Sequence, residues 1–218
     1  MIKAVFFDLD GTLLNTLLDL TISVNYALKE NNLQTVTIEK VRQSIGNGVD
    51  KLIERVVDIQ SIDTNIINNV KLKFIEYYKL HNEDNTIVYD KIMETLELFH
   101  DKGLKNVIIS NKFDYAVKQL SKNLFGNIID LAIGEGSDVR IKPFSDGCNK
   151  AMRLLNLSKE NIIYVGDSDV DILTAHNFGV KCISVTWGYQ DKNKLLSANA
   201  DYIVDNTKQL IEIVFKNN

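Results

Sequence analysis

Short apolar runs alternate with longer amphipathic segments along most of the chain. Each run is rich in β-branched or aromatic residues and ends at polar or small residues, which is typical of buried strands. These predicted strands cover residues 4–7, 106–109, 128–133, 162–165, 182–185 and 202–204. The segments between them carry apolar residues on one face and predict helices at about 91–100, 114–122, 145–155, 168–177 and 207–215. Strands that alternate with helices predict an α/β fold whose doubly wound parallel sheet is covered on both faces.

Residues 16–84 interrupt this alternation. They contain no convincing strand, and their apolar residues recur at helical spacing over about 16–30, 38–45, 49–58 and 64–80. We therefore expect a separate helical domain at 16–84. It would be inserted after the first strand of a discontinuous α/β core formed by 1–15 and 85–218.

Length and charge narrow the classes of function. A chain of 218 residues with a formal net charge of −4 suits one main domain with a modest insertion, and it lacks the basic stripe that nucleic acid requires. No apolar stretch is long enough to span a bilayer or resembles a signal peptide, so no membrane is expected as a partner. Cys148 and Cys182 form no CxxC pair and are expected to be reduced thiols of a cytoplasmic protein.

The first predicted strand runs into an acidic motif, Asp8-Leu9-Asp10-Gly11-Thr12. Ligands of open α/β sheets bind beyond the carboxyl ends of the strands, so the motif lies where chemistry is expected. Gly11 allows the chain to turn there, which would let Asp8 and Asp10 converge on one pocket. The alternative interpretation is an acidic turn capped by Thr12.

Three further motifs follow later predicted strands. Ser110-Asn111 offers a hydroxyl and a backbone amide for a phosphate oxygen, although a helix N-cap would explain it as well. Lys142 precedes a proline and a predicted helix, and it is unremarkable alone. Asp167 and Asp171 share one face at a helix start, where the helix dipole favours acidic residues in any case. The order of the motifs, each at a strand end, is what points to a single site.

In this order the motifs resemble those of phosphatases in the haloacid dehalogenase superfamily, over nearly the whole chain. The resemblance implies a Rossmann-like core with an inserted α-helical cap. It implies that Asp8 is the nucleophile and that Asp10 is the general acid and then the general base. It further implies a phosphate-binding set and a Mg²⁺ site, namely Gly11, Thr12, Ser110, Asn111 and Lys142 for phosphate, and Asp8, the Asp10 carbonyl and Asp167 for the metal, supported by Asp171.

The charge of such a site supports a divalent cation independently. Like charges at contact distance repel by roughly a few kcal/mol per pair near a protein surface. Lys142 alone cannot neutralise four carboxylates and a phosphate dianion. Because the ligands are hard oxygen donors, Mg²⁺ is favoured over zinc. Asp10 favours a phosphatase over a dehalogenase, because only an ester has a leaving alkoxide to protonate. The predicted substrate is therefore a small soluble phosphate monoester, hydrolysed through an aspartyl-phosphate at Asp8.

The helical insertion carries a further candidate for substrate binding. Gly46 and Gly48 form a flexible turn before a predicted helix, and its free amides could meet an anionic group. Lys51 and Arg55, one helical turn apart, add positive charge. A plain interhelical turn with surface charges is the alternative interpretation.

This loop resembles the Gly-x-Gly cap loop of bacterial phosphoglycolate phosphatases, which makes phosphoglycolate the best candidate substrate. The Trp187-Gly188-Tyr189 run and the Asn111-Lys112 pair are similar to theirs too. Two positions depart from the family pattern. Asn15 stands where an acid is usual, so altered local hydrogen bonding is expected. The Phe144-Ser145-Asp146 segment replaces a form rich in Asp and Pro, which leaves the geometry of that loop and the substrate open.

The sequence leaves two other functions open, and the first of them would use the same core residues. A phosphosugar mutase would pass the phosphoryl group to a sugar hydroxyl instead of water, and the glycine-rich loop favours hydrolysis over this alternative. A non-enzymatic phospho-accepting or partner-binding homologue is the other, but the presence of both Asp8 and Asp10 argues against it. The sequence indicates no oligomeric state.

Overall fold

The structure is a computed structural model that describes residues 1–57, 64–136 and 138–216. It divides into two compact units. The core unit comprises Met1–Leu14 and Val88–Asn218, and the inserted unit comprises Asn15–Ile87. The sequence-based boundaries were 16 and 84, so the inserted unit begins one residue earlier and ends three residues later than expected.

Strands and helices alternate in the core unit, whereas the inserted unit consists mainly of helices. The strands are β1 (Ala4–Phe7), β2 (Leu14–Asn15), β3 (Ile87–Val88), β4 (Lys105–Phe113), β5 (Leu131–Glu135), β6 (Ile162–Gly166), β7 (Cys182–Val185) and β8 (Tyr202–Val204). The helices are α1 (Leu17–Glu30), α2 (Ile38–Ser44), α3 (Gly48–Val57), α4 (Thr64–His81), α5 (Ile92–Asp101), α6 (Asp114–Phe125), α7 (Asp146–Leu154), α8 (Asp169–Phe178), α9 (Lys192–Ser197) and α10 (Thr207–Lys216).

The core unit is built on a six-stranded sheet in the order β5-β4-β1-β6-β7-β8, and its paired strands are parallel. Phe7 at the end of β1 lies opposite Ile108 of β4 and Val165 of β6. The carboxyl ends of these three central strands therefore meet at one edge of the sheet. The predicted α/β fold with a parallel sheet is confirmed.

Two apolar layers cover the sheet, one on each face. Val5 and Phe7 of β1 pack in one layer with residues of α5, α6 and α10, and Ala4 and Phe6 pack in the other with residues of α7, α8 and α9. This alternation follows from the period of two along a strand. Burial of each large apolar side chain contributes about 1.5–3 kcal/mol. Helices on both faces make the sheet doubly wound, as the sequence pattern predicted.

Two predicted strands have different bounds in the structure. The strand predicted at 106–109 extends through Phe113, with a register shift against β5 between Ile109 and Phe113. The strand predicted at 128–133 begins only at Leu131, because Gly126–Ile128 forms a 3-10 turn. The first change matters for the site, because Ser110, Asn111 and Lys112 belong to the irregular end of β4 rather than to a loop after it.

The inserted unit contains the four helices that the pattern predicted, α1 to α4. The third was predicted to reach residue 58, which lies outside the described residues, and α3 ends at Val57. Buried apolar side chains of α1 and α4 form its interior, including Val24, Leu28, Val70 and Phe74. Within the described ranges, no helix combines the length and the apolar character needed to cross a membrane.

Candidate active site

Asp8 lies directly beyond the end of β1 and continues its sheet pairing. The Asp8 N–H donates to the Val165 carbonyl at 2.9 Å, and Asp8 Oδ1 accepts a hydrogen bond from the Leu9 N–H at 2.7 Å. The chain then turns at Gly11, whose φ is +86°. A Cβ at Gly11 would lie 2.4 Å from Asp167 Oδ2. Glycine is therefore required here both by the backbone conformation and by the close approach of a carboxylate.

Asp167 follows β6 and lies against the turn at Gly11. Its Oδ1 accepts from the Thr12 hydroxyl at 3.3 Å, and its Oδ2 accepts from the Tyr189 N–H at 2.7 Å. Burial and the nearby Asp171 and Asp8 raise the pKa of Asp167 well above its ordinary value. Thr12 was expected to contact phosphate, and the structure places its hydroxyl on a carboxylate of the site.

Asp171 is fully buried in the first turn of α8. With Ser168 it forms a capping box, in which Asp171 Oδ2 accepts from the Ser168 N–H at 3.1 Å and contacts the Ser168 hydroxyl at 2.6 Å. Its other oxygen, Oδ1, accepts from the Tyr164 hydroxyl at 3.3 Å and pairs with Lys142. Asp171 therefore both caps the N-terminus of α8 and places a carboxylate in the site.

Lys142 joins the two sides of this carboxylate group. Its Nζ lies 2.7 Å from Asp8 Oδ1 and 2.7 Å from Asp171 Oδ1. Burial alone would lower the pKa of Lys142, but Asp171 and Asp8 raise it above its ordinary value. Burial and Asp171 raise the pKa of Asp8 to about 7, although Lys142 opposes the rise. One ammonium is therefore not enough to balance the buried carboxylates.

The same carboxylates form a candidate metal centre. Oxygens of Asp8, Asp167 and Asp171, all buried, lie within 4.8 Å of one another. Hard oxygen donors with excess negative charge fit a hard divalent cation. The resemblance assigned Asp171 a supporting role, and both of its oxygens are already engaged by Lys142 and Ser168. Its exact share in metal binding stays a prediction, as does the part of the Asp10 carbonyl.

The irregular end of β4 brings Ser110 and Asn111 to the same edge of the sheet. Ser110 Oγ accepts from the Lys112 N–H at 3.2 Å. The Asn111 side chain accepts from the Lys142 N–H at 2.6 Å and donates to the Lys142 carbonyl at 3.1 Å. Asn111 was expected to contact phosphate, and the structure places its side chain on the main chain of Lys142.

Three residues near the site received no role from the sequence. Lys112 is buried, and its Nζ forms an ion pair with Asp10 Oδ1 at 2.8 Å. The Trp187 indole donates to the Thr12 carbonyl at 3.1 Å. A Cβ at Gly188 would lie 2.4 Å from Asp167 Oδ2 and 2.5 Å from the Gly11 carbonyl oxygen. The resemblance had drawn attention to all three positions, but only the fold shows what they touch.

The remaining predicted residues belong to the inserted unit. Gly46 and Gly48 have φ values of +114° and +79°, and α3 begins at Gly48. The Arg55 guanidinium donates to the Ser44 carbonyl at 3.0 Å and to Asn47 Oδ1 at 2.7 Å, which fixes this loop. Lys51 pairs with Glu54 at 2.5 Å on the surface. An approach of these residues to substrate stays a prediction.

A parallel sheet with an aspartate beyond its first strand, a buried lysine and a carboxylate group at the next central strand is the architecture of a haloacid dehalogenase-like hydrolase. The model of that family, described as haloacid dehalogenase-like hydrolase, matches residues 5–185, and the chain belongs to this family. The resemblance seen in the sequence is confirmed.

Named relatives are phosphoric monoester hydrolases, the enzyme class predicted for this chain. The phosphoglycolate phosphatase of Mannheimia succiniciproducens is 32% identical over 219 residues, which cover 97% of this chain and 98% of that protein. The phosphoglycolate phosphatase of Haemophilus influenzae is 32% identical over 220 residues, with 97% and 98% covered. A solved structure of a predicted phosphoglycolate phosphatase from Haemophilus somnus has a TM-score of 0.90 at 30% identity and covers 97% of each chain.

Proposed function

We propose that this chain is a Mg²⁺-dependent phosphatase that hydrolyses phosphoglycolate, a small soluble phosphate monoester, through an aspartyl-phosphate at Asp8. The observation that carries the proposal is the placement of Lys142 Nζ at 2.7 Å from an oxygen of both Asp8 and Asp171. This lysine holds the nucleophile beside the carboxylate group that fits a cation. The phosphoryl group would be received beside this ammonium, and a bound cation would supply the remaining positive charge.

The reaction would proceed in two displacements. In the first, an Asp8 oxygen attacks phosphorus, the phosphorus–oxygen bond of the ester breaks, and Asp10 gives its proton to the leaving alkoxide. In the second, Asp10 removes a proton from water, the water oxygen attacks the same phosphorus, and the Asp8–phosphorus bond breaks. Inorganic phosphate leaves, and Asp8 is restored as a carboxylate. Protonation and deprotonation of Asp10 balance over the two steps.

The other polar groups would bind and orient the phosphoryl group. Lys142, the Ser110 hydroxyl and the main-chain N–H of Asn111 would hold its oxygens, and the Asn111 side chain would keep Lys142 in place. The Gly11 and Thr12 N–H groups donate to the Leu14 and Leu9 carbonyls, so these two residues would shape the phosphate-binding turn rather than donate to the phosphoryl group. Asp8, the Asp10 carbonyl and Asp167 would hold Mg²⁺, with Asp171 in support. When bound, Mg²⁺ would neutralise part of the negative charge on the phosphoryl oxygens.

The choice of substrate rests on the relatives and on the inserted unit. Proteins about one third identical over nearly the whole chain are named phosphoglycolate phosphatases. The fixed loop at Gly46 and Gly48 presents a helix start, where backbone N–H groups suit an anion. Both features favour a small dianionic ester with a further negative charge.

The proposal is tested by phosphate release from a panel of small esters, with Mg²⁺ and with a chelator, for the wild type and Asp8→Asn. Release from phosphoglycolate that needs both Mg²⁺ and Asp8 is the expected result. Release from other esters alone would retain the mechanism and discard the substrate. Phosphate release that survives Asp8→Asn would overturn the mechanism. Transfer to a sugar phosphate without net release would replace the hydrolase with a mutase.

A further inference from the structure

Lys112 is a buried cation beside the proposed proton donor. Its side chain is 4% exposed, and its Nζ lies 2.8 Å from Asp10 Oδ1, although the two residues are 102 positions apart in sequence. An ammonium that is removed from water is destabilised unless charged partners offset the loss of hydration. Lys112 is therefore a buried member of the site and not a surface lysine that contacts an acid by chance.

Lys112 and Lys142 are the two lysines buried in the part of the chain that the structure describes, and they have different surroundings. Lys142 lies between two carboxylates, Asp8 and Asp171, on the side of the nucleophile. Lys112 pairs with Asp10, on the side of the proton donor. If Asp8 is the nucleophile and Asp10 the proton donor, the phosphoryl group and the leaving group of the ester would each have a buried ammonium nearby.

We propose that Lys112 binds a carboxylate of the substrate that is attached to the carbon bearing the ester oxygen. The inference rests on the proposed function, because it takes Asp10 as the donor to that oxygen. An Asp10 oxygen must then contact the leaving oxygen. A carboxylate on the adjacent carbon lies immediately beside that contact, within reach of an ammonium that is one hydrogen bond from Asp10.

The same position disfavours a neutral leaving group. A charge-assisted hydrogen bond from an ammonium to a carboxylate is roughly twice as strong as one to a neutral hydroxyl, and a methyl group accepts none. The class of substrate that this site selects is thus a 2-phosphooxy carboxylate. Phosphoglycolate is the smallest member of that class, and its neutral counterpart of the same length is 2-hydroxyethyl phosphate.

The test compares these two esters with the wild type, Lys112→Met and Lys112→Arg. In the wild type, kcat/KM should favour phosphoglycolate. Lys112→Met should reduce that preference by about 10- to 150-fold, mainly through KM, since a hydrogen bond to a charged group is lost. Lys112→Arg should retain most of the preference.

Lys105→Met is the matched control, because Lys105 lies at the opposite end of β4 in a surface pair with Asp130. Thermal melting of each variant shows whether it folds.

The ratio between the two esters separates substrate binding from the support of Asp10. Equal losses on both esters in Lys112→Met, chiefly in kcat, would mean that Lys112 only positions Asp10, and the inference would be overturned. An unchanged ratio would overturn it as well. The ratio is decisive because the loss of the Asp10 ion pair weakens both reactions alike.

Failure of the proposed function has a different signature. Binding of the intact esters to Asp8→Asn and to Asp8→Asn with Lys112→Met is measured by calorimetry in Mg²⁺. Tighter binding of phosphoglycolate that depends on Lys112 would support the site even if the wild type turned over another 2-phosphooxy carboxylate faster, such as 2-phospholactate. Hydrolysis of many esters with no preference for a carboxylate, and no difference in binding, would discard the Lys112 site and leave the phosphatase mechanism intact.

Discussion

The side chain of Asn111 is hydrogen-bonded to both main-chain polar groups of Lys142. Asn111 Oδ1 accepts from the Lys142 N–H at 2.6 Å, and Asn111 Nδ2 donates to the Lys142 carbonyl at 3.1 Å. The end of β4 is thereby attached to the segment that delivers the ammonium group to Asp8. This contact joins the Ser110-Asn111 motif to the Lys142 motif. In these hydrogen bonds the Asn111 side chain contacts Lys142 and not the nucleophile Asp8.

Asn111→Ala should lower kcat while it leaves the chain folded. Loss of the two hydrogen bonds frees the Lys142 main chain, and a misplacement on the order of 1 Å can cost about 100-fold in rate. Unfolding in urea should show a loss of about 1–3 kcal/mol, because buried main-chain groups are left unsatisfied. Asn149→Ala is the control, since Asn149 bonds only locally to Ser145 in the hydrogen bonds described for it. An Asn111→Ala enzyme with wild-type kcat would show that Lys142 needs no such support.

Gly188→Ala should weaken metal binding. A Cβ at Gly188 would lie 2.4 Å from Asp167 Oδ2 and 2.5 Å from the Gly11 carbonyl oxygen, so Asp167 or the turn at Gly11 must move. Changes that disturb the support of a ligand typically reduce metal affinity by about 10- to 100-fold. Calorimetric titration with Mg²⁺ measures this without turnover.

The control for that experiment is Gly136→Ala. Its added Cβ would meet the Asp114 side chain at 3.6 Å, an ordinary contact distance. Equal Mg²⁺ affinities in Gly188→Ala and Gly136→Ala would indicate that the Trp187-Gly188-Tyr189 run has no part in holding Asp167.

The outline of the site was predictable from the sequence, because three of the four motifs follow apolar runs that form central strands, whereas Lys142 lies in the segment after the edge strand β5, which ends at Glu135. Asp8 follows β1 and Asp167 follows β6, and the parallel pairing of β1 with β6 brings them together. The strand β4 could not be delimited, because its polar end does not continue the apolar pattern. The burial of Lys112 depends on Asp10, and the role of Asn111 depends on Lys142, 31 positions away. Such partners become visible only when the fold is known.

Short elements were missed for a different reason. The strands β2 and β3 have two residues each, and α9 has six, so none of them spans enough of a period to stand out in the sequence. The boundaries of the inserted unit differ from the sequence-based ones for the same reason. The chain leaves the core unit within β2 and returns within β3, and neither strand was expected.

Mg²⁺ should stabilise the folded wild type. Ligand that binds only the folded chain at about 100 times its dissociation constant adds about 2.7 kcal/mol to the free energy of unfolding. Asp167→Asn removes a charge from the buried carboxylate group and should lose most of this increment. Without metal, the variant should be at least as stable as the wild type, because the substitution relieves like-charge repulsion. Thermal melts with Mg²⁺ and with a chelator measure both effects.

Asp146→Asn serves as the comparison for Asp167→Asn. Asp146 is part of a surface pair with Arg140, so its variant should keep the full response to Mg²⁺. A wild type whose melting temperature is the same with Mg²⁺ and with chelator would contradict the assignment of the buried carboxylates as a metal centre.

Asp19→Ala should destabilise the inserted unit. Asp19 is a buried carboxylate in α1 that accepts hydrogen bonds from the Asn85 N–H at 3.0 Å, from Asn85 Nδ2 at 2.8 Å and from the Thr86 hydroxyl at 2.8 Å. Its removal leaves several donors without an acceptor, and each unsatisfied buried group costs about 1–3 kcal/mol. Hydrogen exchange at residues 82–87 should accelerate before the α/β sheet is affected.

Asp50→Ala is the control, because it breaks an exposed pair with Lys71. It should leave hydrogen exchange unchanged and change the free energy of unfolding by no more than about 1 kcal/mol. Unchanged exchange at 82–87 in Asp19→Ala would mean that this segment is held by other contacts.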